Sequence, residues 1–133
     1  MSDRELLEAA AQAFWAGEVE DMSIRWDDAE QCILYIHGDN QDHNGRDREF
    51  LWDPLNDDRD ALRLAVKLNL WVNVYSPSQS TPQFTNAIVQ DPYHDVYEEH
   101  GDDPCAATRR AIVRVAAALA TERAAQGAQG DGT

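Results

Sequence analysis

The sequence predicts an α+β fold, a mixed or antiparallel sheet of about four to five strands packed with three helices. Three observations carry that expectation. Three segments place apolar residues at helical spacing behind helix-start signals. Short β-rich or alternating runs lie between them, separated by polar turns. The strand–helix–strand crossovers that would force a parallel, doubly wound sheet are not evident.

The first helix is signalled by Ser2-Asp3-Arg4-Glu5, which has the form of a capping box. Leu6, Leu7, Ala10, Ala13 and Phe14 then recur at helical spacing, so the helix is expected over residues 3–16, with Gly17 as its stop. Residues 22–26 alternate apolar and polar, as a half-buried strand does, and 27–30 make a polar turn. Residues 32–36 are a continuous apolar run rich in β-formers and read as a central strand. A polar loop is expected over 37–48, centred on Asn44-Gly45. An extended piece over 49–55 should end at Asp53-Pro54, because a residue before proline avoids helical geometry.

The middle helix starts near Asn56-Asp57-Asp58, whose side chains can accept free amides and whose charge suits the positive end of the helix dipole. Its apolar face is read as Leu62, Ala65, Val66 and Asn69, with Leu64 and Leu68 beside it. Residues 70–75 and 83–90 read as strands of one hairpin joined by a Ser- and Pro-rich turn over 76–82. Residues 91–103 read as an acidic loop without a basic residue. Asp103-Pro104 opens the last helix, with Asp as N-cap and Pro at the first helical position. Ile112, Val115, Ala116 and Leu119 form its apolar stripe. One domain over 1–123 and a disordered Ala-, Gln- and Gly-rich tail over 124–133 complete the reading.

Charge narrows the partners. Eleven Lys and Arg face twenty-five Asp and Glu, a net charge of -14. Such a surface repels nucleic-acid backbones and anionic membranes, so direct binding to either is not expected. Solubility alone explains an acidic surface; the sharper reading is that it engages a basic surface on another protein, with nucleic-acid mimicry as one form. No segment is apolar enough over a bilayer's thickness, the start of the chain reads as a helix and not as a signal peptide, and two cysteines imply no disulfide framework. A reducing cytoplasm is the simplest compartment.

Four groups of residues invite chemistry. Residues 40–45 resemble the opening of a calcium loop, but Arg48 and Leu51 stand where the ninth and twelfth ligands belong. His94, Asp95, Glu98, Glu99 and His100 form a cluster after Asp91, and His37, Asp39, Asp42 and His43 a second, without an established metal-ligand spacing. Cys105 lies near a helix start that could stabilise a thiolate, with His94 or His100 as conceivable bases; a small residue packed under the helix is the plainer account. Arg109, Arg110 and Arg114 could bind an anion, but in so acidic a chain they are expected to neutralise carboxylates of the fold, those of 91–103 included. No phosphate loop, nucleophile elbow or dinucleotide fingerprint occurs. No catalytic, metal or cofactor residue is therefore assigned.

Two segments carry a resemblance: residues 51–68, from Leu51-Trp52-Asp53-Pro54 through Asp57-Asp58 to Leu68, and residues 102–113, Asp102-Asp103-Pro104-Cys105 through Val113. The arrangement is similar to small phage and prophage accessory proteins, including the phage ABA sandwich domain family. The resemblance implies a sheet sandwiched by helices and a temperate-phage setting, and implies no catalytic residue. The functional expectation is a non-enzymatic accessory protein that binds a basic host or phage protein, for instance as an anti-CRISPR-like inhibitor of host defence. The contact residues expected are Asp39, Asp42, Asp47, Asp57, Asp58, Asp91, Asp95, Glu98 and Glu99, with Trp52 and Tyr97 as aromatic anchors. The alternative is a metal-dependent enzyme or ligand-binding protein using the 91–100 cluster. Oligomeric state is left open.

Overall fold

At the N-terminus, the Ser2 side chain accepts the Glu5 amide at 3.1 Å and the Glu5 carboxylate accepts the Ser2 amide at 3.3 Å, closing the capping box. That cap starts α1 (Asp3–Phe14), and Gly17 follows at φ +86°, a left-handed conformation suited to glycine. The computed structural model describes residues 1–17, 22–75 and 83–130, and the backbone alone at 37–40 and 128–130. The turn expected over 76–82 lies outside the described residues.

Among the described residues, six strands form two antiparallel three-stranded sheets, an α+β fold with slightly more strands than anticipated. The first sheet runs β1 (Met22–Asp27), β2 (Cys32–Gln41), β3 (Asp47–Trp52) in spatial order. The second runs β4 (Trp71–Tyr75), β5 (Phe84–Gln90), β6 (Tyr93–Glu99). The first sheet packs on α1, α1 packs along α3 (Pro104–Gly130), and α3 lies across β5 and β6. The remaining helix, α2 (Asp58–Lys67), is capped by the Asp57 carboxylate, which accepts the Asp60 amide at 2.9 Å, and it packs beside α3.

α3 is about 40 Å long at 1.5 Å per residue and joins two apolar cores. Trp15, Ile33, Trp52, Leu64, Ile112 and Val113 belong to one; Ala87, Val89, Ala111, Val115 and Leu119 belong to the other. Trp15 lies 5.0 Å from Trp52 and 4.9 Å from Tyr35 between ring centroids, an aromatic cluster that seals α1 onto the first sheet. Ala111 and Ala116 have no exposed surface, which lets the helix approach both layers closely.

Several expectations are corrected. Most of the loop expected over 37–48 is strand: β2 runs on to Gln41, pairs with Asp47 across a register shift, and turns through Asp42–Arg46. The acidic loop expected over 91–103 contains β6, in which His94, Val96 and Glu98 turn inward and Tyr93, Asp95, Tyr97 and Glu99 face solvent. Pairing with β5 supplies the backbone partners that the polar composition hides. α2 buries Ala61, Leu64 and Ala65, while Leu62 and Val66 are exposed, so its core face is turned one residue from the expected row. Both rows satisfy helical spacing, and only packing decides between them. Residues 124–130, read as a disordered tail, continue α3, whose inward face also includes Val113, Ala117 and Ala120 beyond the expected stripe.

Candidate functional site

The strand register brings one face of the second sheet together. Rows across it read Trp71, Ile88, Asp95; Asn73, Asn86, Tyr97; and Tyr75, Phe84, Glu99. Tyr75 stacks on Phe84 at 4.6 Å between ring centroids, and Phe84 meets Tyr97 in a tilted contact at 4.4 Å, so three rings run across the sheet. Trp71, Tyr93 and Tyr97 are at least half exposed. The Asp95 carboxylate accepts the Asn86 side-chain amide at 3.2 Å and the Tyr93 hydroxyl at 3.3 Å, which fixes its position beside the rings. No lysine or arginine occurs in β4, β5 or β6. An aromatic surface with two carboxylates and no cation is therefore presented to solvent, suited to receive guanidinium or ammonium groups by stacking and charge.

Among the expected contact residues, only Asp95, Tyr97 and Glu99 share this face. Asp91 lies in the exposed β5–β6 turn. Asp42 holds the β2–β3 turn, accepting the Asn44 and Arg46 amides at 2.8 and 3.0 Å, so residues 40–45 serve a hairpin there. Asp47 opens β3, and the side chain of Asp39 lies outside the described residues. Asp57 caps α2. Asp58 pairs with Arg109 at 2.6 Å, and Arg109 also donates to the Leu55 carbonyl at 2.8 Å, stitching the start of α2 to α3. Glu98 faces inward and is held by Arg114 at 2.7 Å and Arg110 at 3.7 Å. The three arginines thus neutralise carboxylates of the fold. Trp52, expected as an anchor, is 3% exposed and belongs to the core. Sequence reasoning missed Trp71, Tyr75, Phe84 and Tyr93; the spacing Tyr93, Asp95, Tyr97, Glu99 held the signal, a period of two that puts all four on one side of a strand.

The same alternation divides the 91–100 cluster. His94, Glu98 and His100 point toward α3 while Asp95 and Glu99 point away, and His94 and His100 stand about 20 Å apart along the extended chain. His94 meets Glu122 of α3. Among the described residues, no three His, Cys, Asp or Glu side chains come together to hold a metal ion. Cys105 is exposed and lines an apolar groove of about 370 Å³ that no histidine borders.

His100 is 4% exposed and ends a hydrogen-bonded relay. Thr108 donates to the Pro104 carbonyl at 2.8 Å, so its oxygen accepts from Thr85 at 2.8 Å. The Thr85 oxygen then accepts from His100 Nε2 at 2.8 Å, which places the ring proton on that nitrogen. Nδ1 is buried with no hydrogen-bond partner among the described residues. Thr85→Val removes the acceptor of the buried Nε2–H and is expected to lower stability by about 1–3 kcal/mol in a urea titration. An unchanged midpoint would show that the relay contributes nothing.

An acidic concavity lies between the first sheet and α2, lined by Glu30, Cys32, Asp53, Asp57 and Asp60 among others. Burial raises the Cys32 thiol above its ordinary value, helped by Asp53, Asp27 and Glu30. Burial also raises the Asp60 carboxyl, with Asp57 and Asp53 adding to it, against the Asp53 amide, which donates to Asp60 at 2.9 Å. The folded state therefore holds the Asp60 proton more tightly than the unfolded chain does. Its contribution is most favourable below the unfolded carboxyl value and declines as pH rises through the raised folded value. Asp60→Asn is expected to raise the thermal midpoint near neutrality, with the gain shrinking as pH falls toward about 3. A gain that grows on acidification would contradict this sign.

Comparison with family models, with curated proteins and with solved structures gives no match. No helix among the described residues is long and apolar enough to cross a membrane.

Proposed function

We propose that the protein is a non-enzymatic binding protein that docks a basic surface of another protein onto the outer face of β4–β6. The observation that carries this reading is the solvent-facing run of Tyr75, Phe84 and Tyr97, flanked by Asp95 and Glu99, on strands without a cation. Arginine-rich surfaces match it, because a guanidinium stacks on a ring while it pairs with a carboxylate. The net charge of -14 adds long-range attraction for a basic partner. A counter-defence role in a phage setting, with nucleic-acid mimicry of the anti-CRISPR kind, is a narrower form of the same proposal. It is supported by the resemblance of residues 51–68 and 102–113, the acidity and the small size.

The test is an affinity pull-down of the tagged protein from a bacterial lysate at low and high salt, beside a Tyr97→Ala/Glu99→Lys variant. One basic protein retained at low salt, released at high salt and lost with the variant is the expected outcome. A partner retained equally by wild type and variant would remove this face from the account.

A further inference from the structure

We infer that two copies of the chain pair edge to edge through β4, by a two-fold antiparallel contact centred on Asn73. This goes beyond the binding face and does not depend on it.

The two sheets have four edge strands, and three carry charge. β1 has Arg25 and Asp27; β3 has Asp47, Arg48 and Glu49; β6 has Asp95, Glu98 and Glu99. Charges on an edge discourage pairing with another chain. β4, Trp71-Val72-Asn73-Val74-Tyr75, has neither a charge nor a proline, its pairing with β5 runs without a bulge, and among the described residues it pairs with β5 alone.

The strand is also complementary to itself. Antiparallel pairing about Asn73 sets Trp71 against Tyr75 of the second copy, Val72 against Val74, and Asn73 against its own equivalent. Aromatic rings then meet on the outer face, valines meet on the inner face, and the central amides can donate and accept in both directions. The inner side is open to receive them. Val72 and Val74 border the 370 Å³ groove between β4, α2 and the start of α3. Val74 is 55% exposed, and Leu62 and Val66, at 65% and 71%, project from α2 nearby. Apolar surface of this kind at an unprotected edge marks an interface.

The self-complementary strand makes a second copy the occupant, and the local charge allows it. A chain of net charge -14 repels itself over most of its surface. α2, beside the groove, carries Arg59, Arg63 and Lys67 against Asp58 and Asp60, and Asp58 is paired with Arg109. β4 itself is uncharged and the helix beside it carries a small excess of cations, so self-repulsion is reduced at this edge. The contact would continue the two sheets into one of six strands and set two aromatic faces side by side.

Sedimentation of the full chain over about 1–200 μM tests the pairing. The mass is expected to rise from 14.9 kDa toward twice that value. Asn73→Lys and Asn73→Asp each place like charges opposite one another at the two-fold axis and should leave monomers, while an equimolar mixture of the two should regain the dimer mass. Val74→Lys is a second disruption, at a side chain already mostly exposed; circular dichroism reports that each variant is folded. A wild type that stays monomeric throughout overturns the inference. So do folded variants that dimerise as the wild type does, or a mixture that remains monomeric.

Discussion

Trp52→Ala is expected to lower the free energy of unfolding by about 3–5 kcal/mol, the range for truncating a buried aromatic ring. The ring is 3% exposed, at the end of β3, and touches both Phe14 and Trp15 at 5.3 and 5.0 Å between centroids. Its loss would open a cavity where α1 meets the first sheet, and the neighbours cannot all relax into it because α3 holds α1 from the other side. Urea titration followed by circular dichroism measures the cost. A loss below about 1 kcal/mol would mean that the side chain is not core, and would return Trp52 to the role of a surface anchor.

Leu119→Ala should cost about 2–5 kcal/mol for the same reason in the other core. Leu119 is 1% exposed and packs with Ala87, Val89, Ala111 and Val115 between α3 and the second sheet. α3 contributes to both cores, so the loss should not be confined to one sheet. Tryptophan fluorescence, dominated by Trp15, Trp26 and Trp52 at the first sheet, should shift its midpoint together with the circular dichroism signal. Two separated transitions would show that the sheets unfold independently.

How far the sequence reveals this molecule depends on the range of the interaction involved. Caps are local, and Ser2, Asp57 and Asp103 mark their helices because an oxygen three residues from a free amide needs no tertiary information. The hairpin of β4 and β5 is legible for the same reason. β6 was hidden because Asp95, Glu98 and Glu99 are poor strand formers, and their pairing with β5 is not written in composition. The core face of α2 is ambiguous by one residue in the sequence because two apolar rows compete and only contact with α3 selects Ala61, Leu64 and Ala65. The candidate site was half legible. Asp95, Tyr97 and Glu99 were singled out, but their company came from register: Trp71, Tyr75 and Phe84 join them only through pairing across three strands. Glu98, one residue away, belongs to the opposite face and to Arg114. A one-residue step changes a side chain's face in a strand, so a list of acidic residues cannot define a surface.

The proposed binding rests chiefly on one face of the second sheet and only secondarily on net charge. Two variants of equal net charge separate these possibilities: Asp95→Lys/Glu99→Lys on the outer face of the second sheet, and Asp28→Lys/Glu30→Lys in the exposed β1–β2 turn. Titrated by calorimetry against the basic protein recovered at low salt, the first should lose about 100-fold or more in affinity and the second less than about 5-fold. Equal losses in the two variants would contradict the account, because they would show that the partner responds to the charge of the whole molecule.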